Sequence, residues 1–308
     1  MLLEESKNNN ILSYSSVCAV IVTYNPSKKL DENIRVISSQ VGKIIIVDNG
    51  SKITGLNYLD KVLINHNVQL LNLASNQGIG TALNIGIQCA SDQGFCWVVT
   101  FDQDSLPSED MVKEMIDTLT LAKDERIAII GPTLVDIDVG TPLNKSVDSM
   151  RDNVYLPLTL MASGCLMNIL CWKEVGRFRE DMFIDYLDHE YCLRCTNLGW
   201  KIYQSKSFLN HKLGAMRSHR LLGLFNYNTS HHPTSRRYYI TRNRILVWRL
   251  YIFIYPLWVV QDMYAFIIET IKIILAEQYK ILKLIAIGCG IVDAIFRRKG
   301  KHNYKFLS

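Results

Sequence analysis

Five short apolar runs, each cut off by turn-forming residues and separated by stretches of helical periodicity, constrain this chain more than any other feature. Residues 17–22 are wholly apolar and break at Thr23-Tyr24-Asn25-Pro26. Residues 43–47 end in Asp48-Asn49-Gly50-Ser51, and 68–73 lead into Asn76-Gln77-Gly78-Ile79-Gly80. Residues 96–101 stop at Asp102-Gln103-Asp104, and 126–130 close at Gly131-Pro132. Between them Leu30, Ile34 and Ile37, then Ile79, Leu83, Ile87 and Ala90, then Met111, Met115 and Leu119 recur at helical spacing. Strands alternating with helices at this interval predict an α/β fold, a mostly parallel sheet flanked by crossover helices. Residues 136–155 read as a polar loop near the site. The small apolar stretch 159–169 reads as a strand approached closely by ligand or backbone, and 191–198 as a helix ending at Gly199.

With 48% hydrophobic and 20% charged residues over 308 positions, the chain can bury a large core. A net charge of +5 demands no polyanion, so nucleic acid is not an expected partner. The 8 cysteines form no secreted-type framework, and residues 1–15 make a polar leader without a signal-peptide core. Reduced thiols in the cytoplasm follow as the simplest account. Cys192-x-x-Cys195 lacks the second pair that structural zinc needs and is expected to be core packing.

Beyond Arg242 the composition shifts, and the expected organisation is a catalytic domain over 16–244 with a C-terminal helical segment over 245–308. That segment is rich in Ile, Leu, Tyr and Trp, yet Arg249, Asp262, Glu269, Lys272, Glu277, Lys280, Lys283 and Asp293 punctuate it. No run reaches the roughly 18 uncharged residues of a spanning helix. With Trp248, Trp258 and the basic tail Arg297, Arg298, Lys299, Lys301 and Lys305, amphipathic helices in a membrane interface are expected. A subdomain covering the sheet or forming a homodimer is the alternative.

Asp102 and Asp104 stand one residue apart at a strand end, where side chains two apart share a face. Ligands of open α/β sheets sit beyond the carboxyl ends of the strands. Two hard oxygen donors there suit Mg²⁺ or Mn²⁺ carrying a phosphorylated ligand. Asp48 is placed to accept from a pyrimidine ring N–H, with backbone groups of Thr23, Tyr24 and Asn25 beside the same ring. Gly78 and Gly80 allow close backbone approach, but their position after the third strand does not fit a dinucleotide fingerprint. Asp188 is the general-base candidate, since Phe183, Tyr186, Leu187 and Tyr191 give it an apolar setting that makes a carboxylate a better proton acceptor. His211 and the cluster Arg236-Arg237-Tyr238-Tyr239 with Arg242 supply cations suited to a departing diphosphate.

In order, Val22-Thr-Tyr-Asn25, Val47-Asp-Asn-Gly-Ser51, Asn76-x-Gly78 with Asn84-x-Gly86, and Phe101-Asp-Gln-Asp-Ser105 resemble the inverting family 2 glycosyltransferases of the GT-A fold. Phe183-Ile-Asp-Tyr-x-Asp-x-Glu-Tyr-Cys-x-Arg194 and Arg237-Tyr-Tyr-x-x-Arg-Asn243 resemble their bacterial rhamnosyltransferase branch. The resemblance spans roughly residues 17–245. It implies a Rossmann-like nucleotide-diphospho-sugar transferase fold, with Asp48 recognising the base, Asp102 facing ribose or metal, and Asp104 as main metal ligand. Asn76, Gly78, His211 and Arg237 fall in the donor-binding set. Asp188 aligns with the catalytic base; Leu187 replaces the Glu that commonly precedes it, which leaves Asp185 as the alternative. The spacing to Arg194 favours Asp188.

The implied reaction is displacement at the anomeric carbon of dTDP-β-L-rhamnose by a hydroxyl of a saccharide, expected on a polyprenyl-diphosphate carrier. O-antigen, the polysaccharide of lipopolysaccharide, or a related surface polymer is the family's usual product, made at the cytoplasmic face of the bacterial inner membrane. Another dTDP- or UDP-sugar donor and a non-catalytic membrane scaffold are the rival readings. A nucleotidyltransferase would carry an early Gly- and Lys-rich loop, and the first strand ends in Thr-Tyr-Asn-Pro instead.

Overall fold

A computed structural model of the chain describes residues 13–52, 67–136, 156–211, 217–221, 225–229 and 231–305. The strand Val17–Thr23 (β1) is buried at every position because helices cover both of its faces. Cys18, Val20 and Val22 point to one face, where Leu83 and Ile87 pack, together with Trp172 and Tyr191 from later in the chain. Val17, Ala19 and Ile21 point to the other, against Leu30, Ile34, Met111 and Met115. A two-sided core is why the run reads as continuous apolar sequence and not as alternation.

Parallel to β1 on one side runs Lys43–Asp48 (β2), followed outward by Val68–Asn72 (β3); on the other side lies Trp97–Asp102 (β4). The helices Lys29–Ser38 (α1) and Ile79–Asp92 (α2) make the crossovers, and Met111–Ala122 (α3) follows the short strand Leu106–Pro107 (β5). Chain order therefore reverses between β1 and β4, the position at which open α/β sheets leave a crevice. Beyond β4 the sheet becomes mixed. Ile127–Asp136 (β6), Leu166–Asn168 (β7) and Lys201–His211 (β8) complete the order β3-β2-β1-β4-β7-β6-β8-β5, with β7 antiparallel to both neighbours and β5 antiparallel to β8. Ile169–Val175 (α4) and Leu187–Asn197 (α5) pack beneath, and Arg217–Leu221 (β9) pairs with Phe225–Thr229 (β10) as a separate ribbon. The helices Thr234–Tyr251 (α6), Pro256–Ala276 (α7) and Lys280–Ile295 (α8) close the chain.

Several expectations shift. The strand expected over 159–169 shrinks to β7, because the Gly164 N–H, in a left-handed turn, caps the Thr100 carbonyl and bends the preceding residues out of the sheet. The helix expected from 191 starts at Leu187, which puts Asp188 in its first turn. The long strand β8 breaks the strand–helix alternation of the first half. Residues 137–155, the expected loop, lie outside the described residues, as do 1–12 of the leader. The expected boundary at 244–245 falls inside α6, so catalytic domain and helical extension share one continuous helix. Among the described residues no helix is long and apolar enough to cross a membrane.

Gly86 on α2 lies close against the sheet: a Cβ there would come 2.4 Å from Val20 Cγ1 and 3.1 Å from Val47 Cγ2. Both valines are fully buried, so neither can retreat. Gly86→Val is expected to lower the unfolding free energy by about 2–3 kcal/mol, the upper range for overpacking, as read from the urea midpoint of purified protein.

Candidate active site

The parallel register aligns Thr23 with Asp48 and Val22 with Asp102 along the carboxyl edge of the sheet. Above that edge opens a cleft lined by Thr23, Tyr24, Asn49, Asn76, Gly78, Asp102, Gln103, Asp104, Ser163, Asp185, Asp188 and Arg236, among others. The carboxylates at 102, 104, 185 and 188, scattered through the sequence, thus converge on one space.

The wall at the ends of β1 and β2 is built by hydrogen bonds between strand ends. Asp48 is fully buried; it accepts from Thr23 Oγ1 at 3.0 Å and from the backbone N–H and hydroxyl of Ser51. The carboxylate expected to meet the base is therefore occupied in fastening β1 to the turn after β2, and its neighbour Asn49 is what lines the cleft. Asn25, left-handed at φ 49°, donates its N–H to Ser51 Oγ and accepts from the Lys52 N–H, so it shapes the same turn instead of lining the cleft. The Tyr24 N–H is held by Gln103 Oε1 at 2.8 Å, which leaves its half-exposed ring at the rim. Asn76 Oδ1 accepts from the Gly78 N–H at 3.0 Å, and Asn49 Oδ1 from the Gln77 N–H at 2.9 Å. Gly78 has φ 93°, and a Cβ there would sit 2.6 Å from the Phe183 carbonyl oxygen; only glycine fits.

On the opposite wall, Ser163 Oγ accepts from the Asp102 N–H at 3.0 Å and bonds Ser105 Oγ, fixing the turn that carries both aspartates. Asp188, at the start of α5, accepts from the His189 N–H through one oxygen. Asp185 is gripped by Arg236, with Nε and Nη2 at 3.1 and 2.9 Å. Burial pushes the Asp185 carboxyl above the ordinary carboxylate range; Arg236 tempers this and the charge of Asp188 adds to it. Burial also disfavours the Arg236 charge, but Asp185 first, then Asp102 and Asp188, more than compensate and hold the guanidinium charged. One cation thus sits within the field of three carboxylates.

Arg237, the expected donor ligand, is not on this wall. It is buried among the C-terminal helices and donates to Glu277 Oε1 at 2.6 Å, because consecutive residues on α6 face about 100° apart and 236 takes the cleft side. His211 ends β8, and its side chain lies outside the described residues. Among the described residues no group of three His, Cys, Asp or Glu side chains forms a ready-made metal cage. Asp102 and Asp104 supply two hard oxygen donors at the cleft, a donor set that would suit a small divalent ion. Asn49, Gln103 and Ser163 are site residues to which the sequence reading gave no role, and the register of β1 against β4 brings them in; of the arginine cluster expected to supply cations, the face of α6 selects Arg236.

Residues 18–192 match the model of glycosyl transferase family 2. The chain belongs to that family and is a glycosyltransferase. Over 248 residues it is 31% identical to the dTDP-rhamnosyl transferase RfbF of Shigella flexneri, covering 76% of this chain and 80% of that protein. Its fold is similar to the mannosyltransferase PcManGT of Pyrobaculum calidifontis, solved with GDP-Man and Mn²⁺, at 12% identity and a TM-score of 0.58, covering 91% of this chain and 75% of that one. It is likewise similar to S. aureus TarS residues 1–349 with UDP-GlcNAc, at 13% identity and a TM-score of 0.53, covering 91% and 72%.

Because burial outweighs the Arg236 contact, an ionised Asp185 opposes folding above its folded-state pKa, and the opposition vanishes once the group is protonated in both states. Asp185→Asn should raise the thermal midpoint at pH 8, and the gain should shrink steadily as the pH falls toward about 4. A gain independent of pH would contradict this account.

Proposed function

We propose that the protein transfers L-rhamnose from dTDP-β-L-rhamnose, with inversion, to a hydroxyl of a lipid-linked saccharide during assembly of O-antigen or a related surface polysaccharide. The convergence of Asp102, Asp104, Asp185, Asp188 and Arg236 on one cleft carries the reading, and the dTDP-rhamnosyl transferase relative supports the choice of donor. Asp188 accepts the proton of the acceptor hydroxyl. The freed oxygen pair attacks the anomeric carbon, the bond to the diphosphate oxygen breaks with its electrons leaving on dTDP, and the β-linked sugar becomes an α-rhamnoside. Arg236, one of the cluster expected to supply cations, meets the charge accumulating on the departing diphosphate. Asp102 and Asp104 would hold Mg²⁺ or Mn²⁺, which when bound neutralises diphosphate charge. Thr23 and Asn49, stiffened by Asp48, form the nucleotide wall.

A panel of dTDP- and UDP-sugars, tested for protection against thermal unfolding, decides the donor. dTDP-rhamnose with divalent metal is expected to protect most. Asp188→Asn should retain that protection while losing transfer by about 10²–10⁴-fold, the usual contribution of a general base. Preference for a UDP-hexose would sink the rhamnose assignment.

The acceptor's lipid is matched by an apolar face on the C-terminal helices. Leu257, Val260, Tyr264, Ile267, Ile271 and Ile274 on α7 recur at alternating steps of three and four, all exposed; Ile281, Ile285, Val292 and Ile295 extend the surface along α8. Phe253, in the turn before α7, is 95% exposed. With Arg297, Lys299, Lys301 and Lys305 at the solvent-facing end of the chain, this surface suits the cytoplasmic leaflet of the inner membrane, with the helices lying in its plane. The protein should co-sediment with vesicles containing anionic lipid, and the pair Leu257→Glu with Ile267→Glu should abolish this without altering nucleotide protection. Loss of a soluble dimer by that pair, without vesicle binding by the wild type, would assign the face to self-association.

A further inference from the structure

The cleft wall between Met182 and Leu187 is the most strained stretch of the site. Phe183, Asp185 and Tyr186 all have positive φ, at 64°, 65° and 64°. None is glycine, and each holds its side chain in a backbone region that L-residues disfavour. This unfavourable run carries Asp185 and leads directly into the first turn of α5, which carries Asp188.

Its restraint comes from behind. Asn243 on α6 is fully buried, and its side-chain amide nitrogen donates to the carbonyls of Met182, Ile184 and Asp185 at 2.8, 2.7 and 2.9 Å. Its amide oxygen accepts from Arg242 Nε at 3.0 Å, which settles the amide's orientation and aims the NH₂ at the three carbonyls. Arg242 Nη2 adds a bond to Met182 O at 3.0 Å. At the far end of the run the Tyr186 hydroxyl donates to Asp262 on α7 at 2.8 Å and accepts from Arg244. On the cleft side, Phe183 O accepts from the Ile79 N–H at 2.8 Å, so the same run abuts the donor-side glycine turn.

We infer that Asn243 is a positioning residue: its carboxamide gathers three carbonyls and holds the stretch Phe183–Tyr186, with its three positive-φ residues, in the conformation that turns Asp185 and Asp188 into the cleft. It touches neither donor nor acceptor. An aspartate of the same size would set lone pairs against three carbonyl oxygens, and an alanine would remove the amide donor from all three, leaving Met182 O only its bonds from Arg242 Nη2 and the Ile184 N–H. The consequence is specific. The nucleotide wall of Thr23, Asp48 and Asn49 is fastened independently of α6, so loss of the amide should spare nucleotide affinity and damage the chemical step.

This inference rests on the proposed transferase reaction, and the test separates the two. Full-length wild type, Asn243→Ala, Asn243→Asp and Tyr186→Phe are compared in transfer kinetics, dTDP affinity by calorimetry and hydrogen exchange. For the Asn243 variants kcat is expected to fall by about 100-fold, as for a misplacement near 1 Å, with dTDP affinity within about threefold of wild type. Peptides spanning 180–188 should exchange faster while those of β1 and β2 stay protected. Tyr186→Phe loosens the run from its other end without disturbing the buried amide, and should reduce kcat about tenfold, again at constant dTDP affinity. Unchanged exchange over 180–188, an unchanged kcat, or a loss of dTDP affinity in step with kcat would each overturn the inference. If neither Asn243 variant folds, Tyr186→Phe decides by the same readouts. If the wild type transfers no sugar, the reaction assignment fails, and exchange over 180–188 alone judges Asn243.

Discussion

Everything at the cleft follows from β1 lying parallel between β2 and β4. Parallel strands deliver all their carboxyl ends to one edge, and the reversal of chain order there parts the connecting helices and leaves room for a ligand. Thr23, Asp48 and Asp102 come together because of this register, not because of any affinity for one another. The apolar sequence of the three strands is the driving force. Each must bury both faces, and the polar residues that end them are pushed to the edge, where the backbone leaves the core.

The second organising layer is polar. α6 buries Arg237, Arg242, Asn243 and Arg244, an arrangement that hydrophobic periodicity would never place inside. Each is met by a partner from elsewhere: Glu277, itself bound to Lys283, takes Arg237; Glu269 and Asp262 take Arg244; and Gly300 and Met182 carbonyls take Arg242. Tyr238 adds a bond to Asp293 on α8. Buried ion pairs gain little net stability against their desolvation. What they do here is fix α7 and α8 against α6 in one register, and through Tyr186 and Asn243 fix the wall that bears Asp185 and Asp188. The C-terminal helices are therefore structural participants in the site as well as the bearers of an apolar outer face.

Much of this was legible from residue order alone. The strands through β4, the helices between them, the strand-end pair Asp102 and Asp104, and the glycine at 78 all read correctly, because local periodicity and turn chemistry encode them. The resemblance of the ordered motifs to family 2 held, with the family model matching residues 18–192. Less legible were the places where long-range contacts override local pattern: the Gly164 turn that shortens β7, the start of α5 at Leu187, and the identity of the arginine at the cleft. Adjacent arginines at 236 and 237 look alike in a string; one faces carboxylates in the cleft and the other a glutamate 40 residues on.

The sequence by itself determined the fold class, the family and the kinds of side chain available, since these depend on which residues are apolar and at what period. Only the tertiary structure decided that Asp48 fastens a turn, that Arg236 shares a space with three carboxylates, and that Asn243 restrains a strained wall. Those assignments depend on which distant backbone and side-chain groups are left needing a partner once the core has closed, and burial makes leaving them unpaired costly. That condition is a property of the closed core and is not written in any local stretch of the chain.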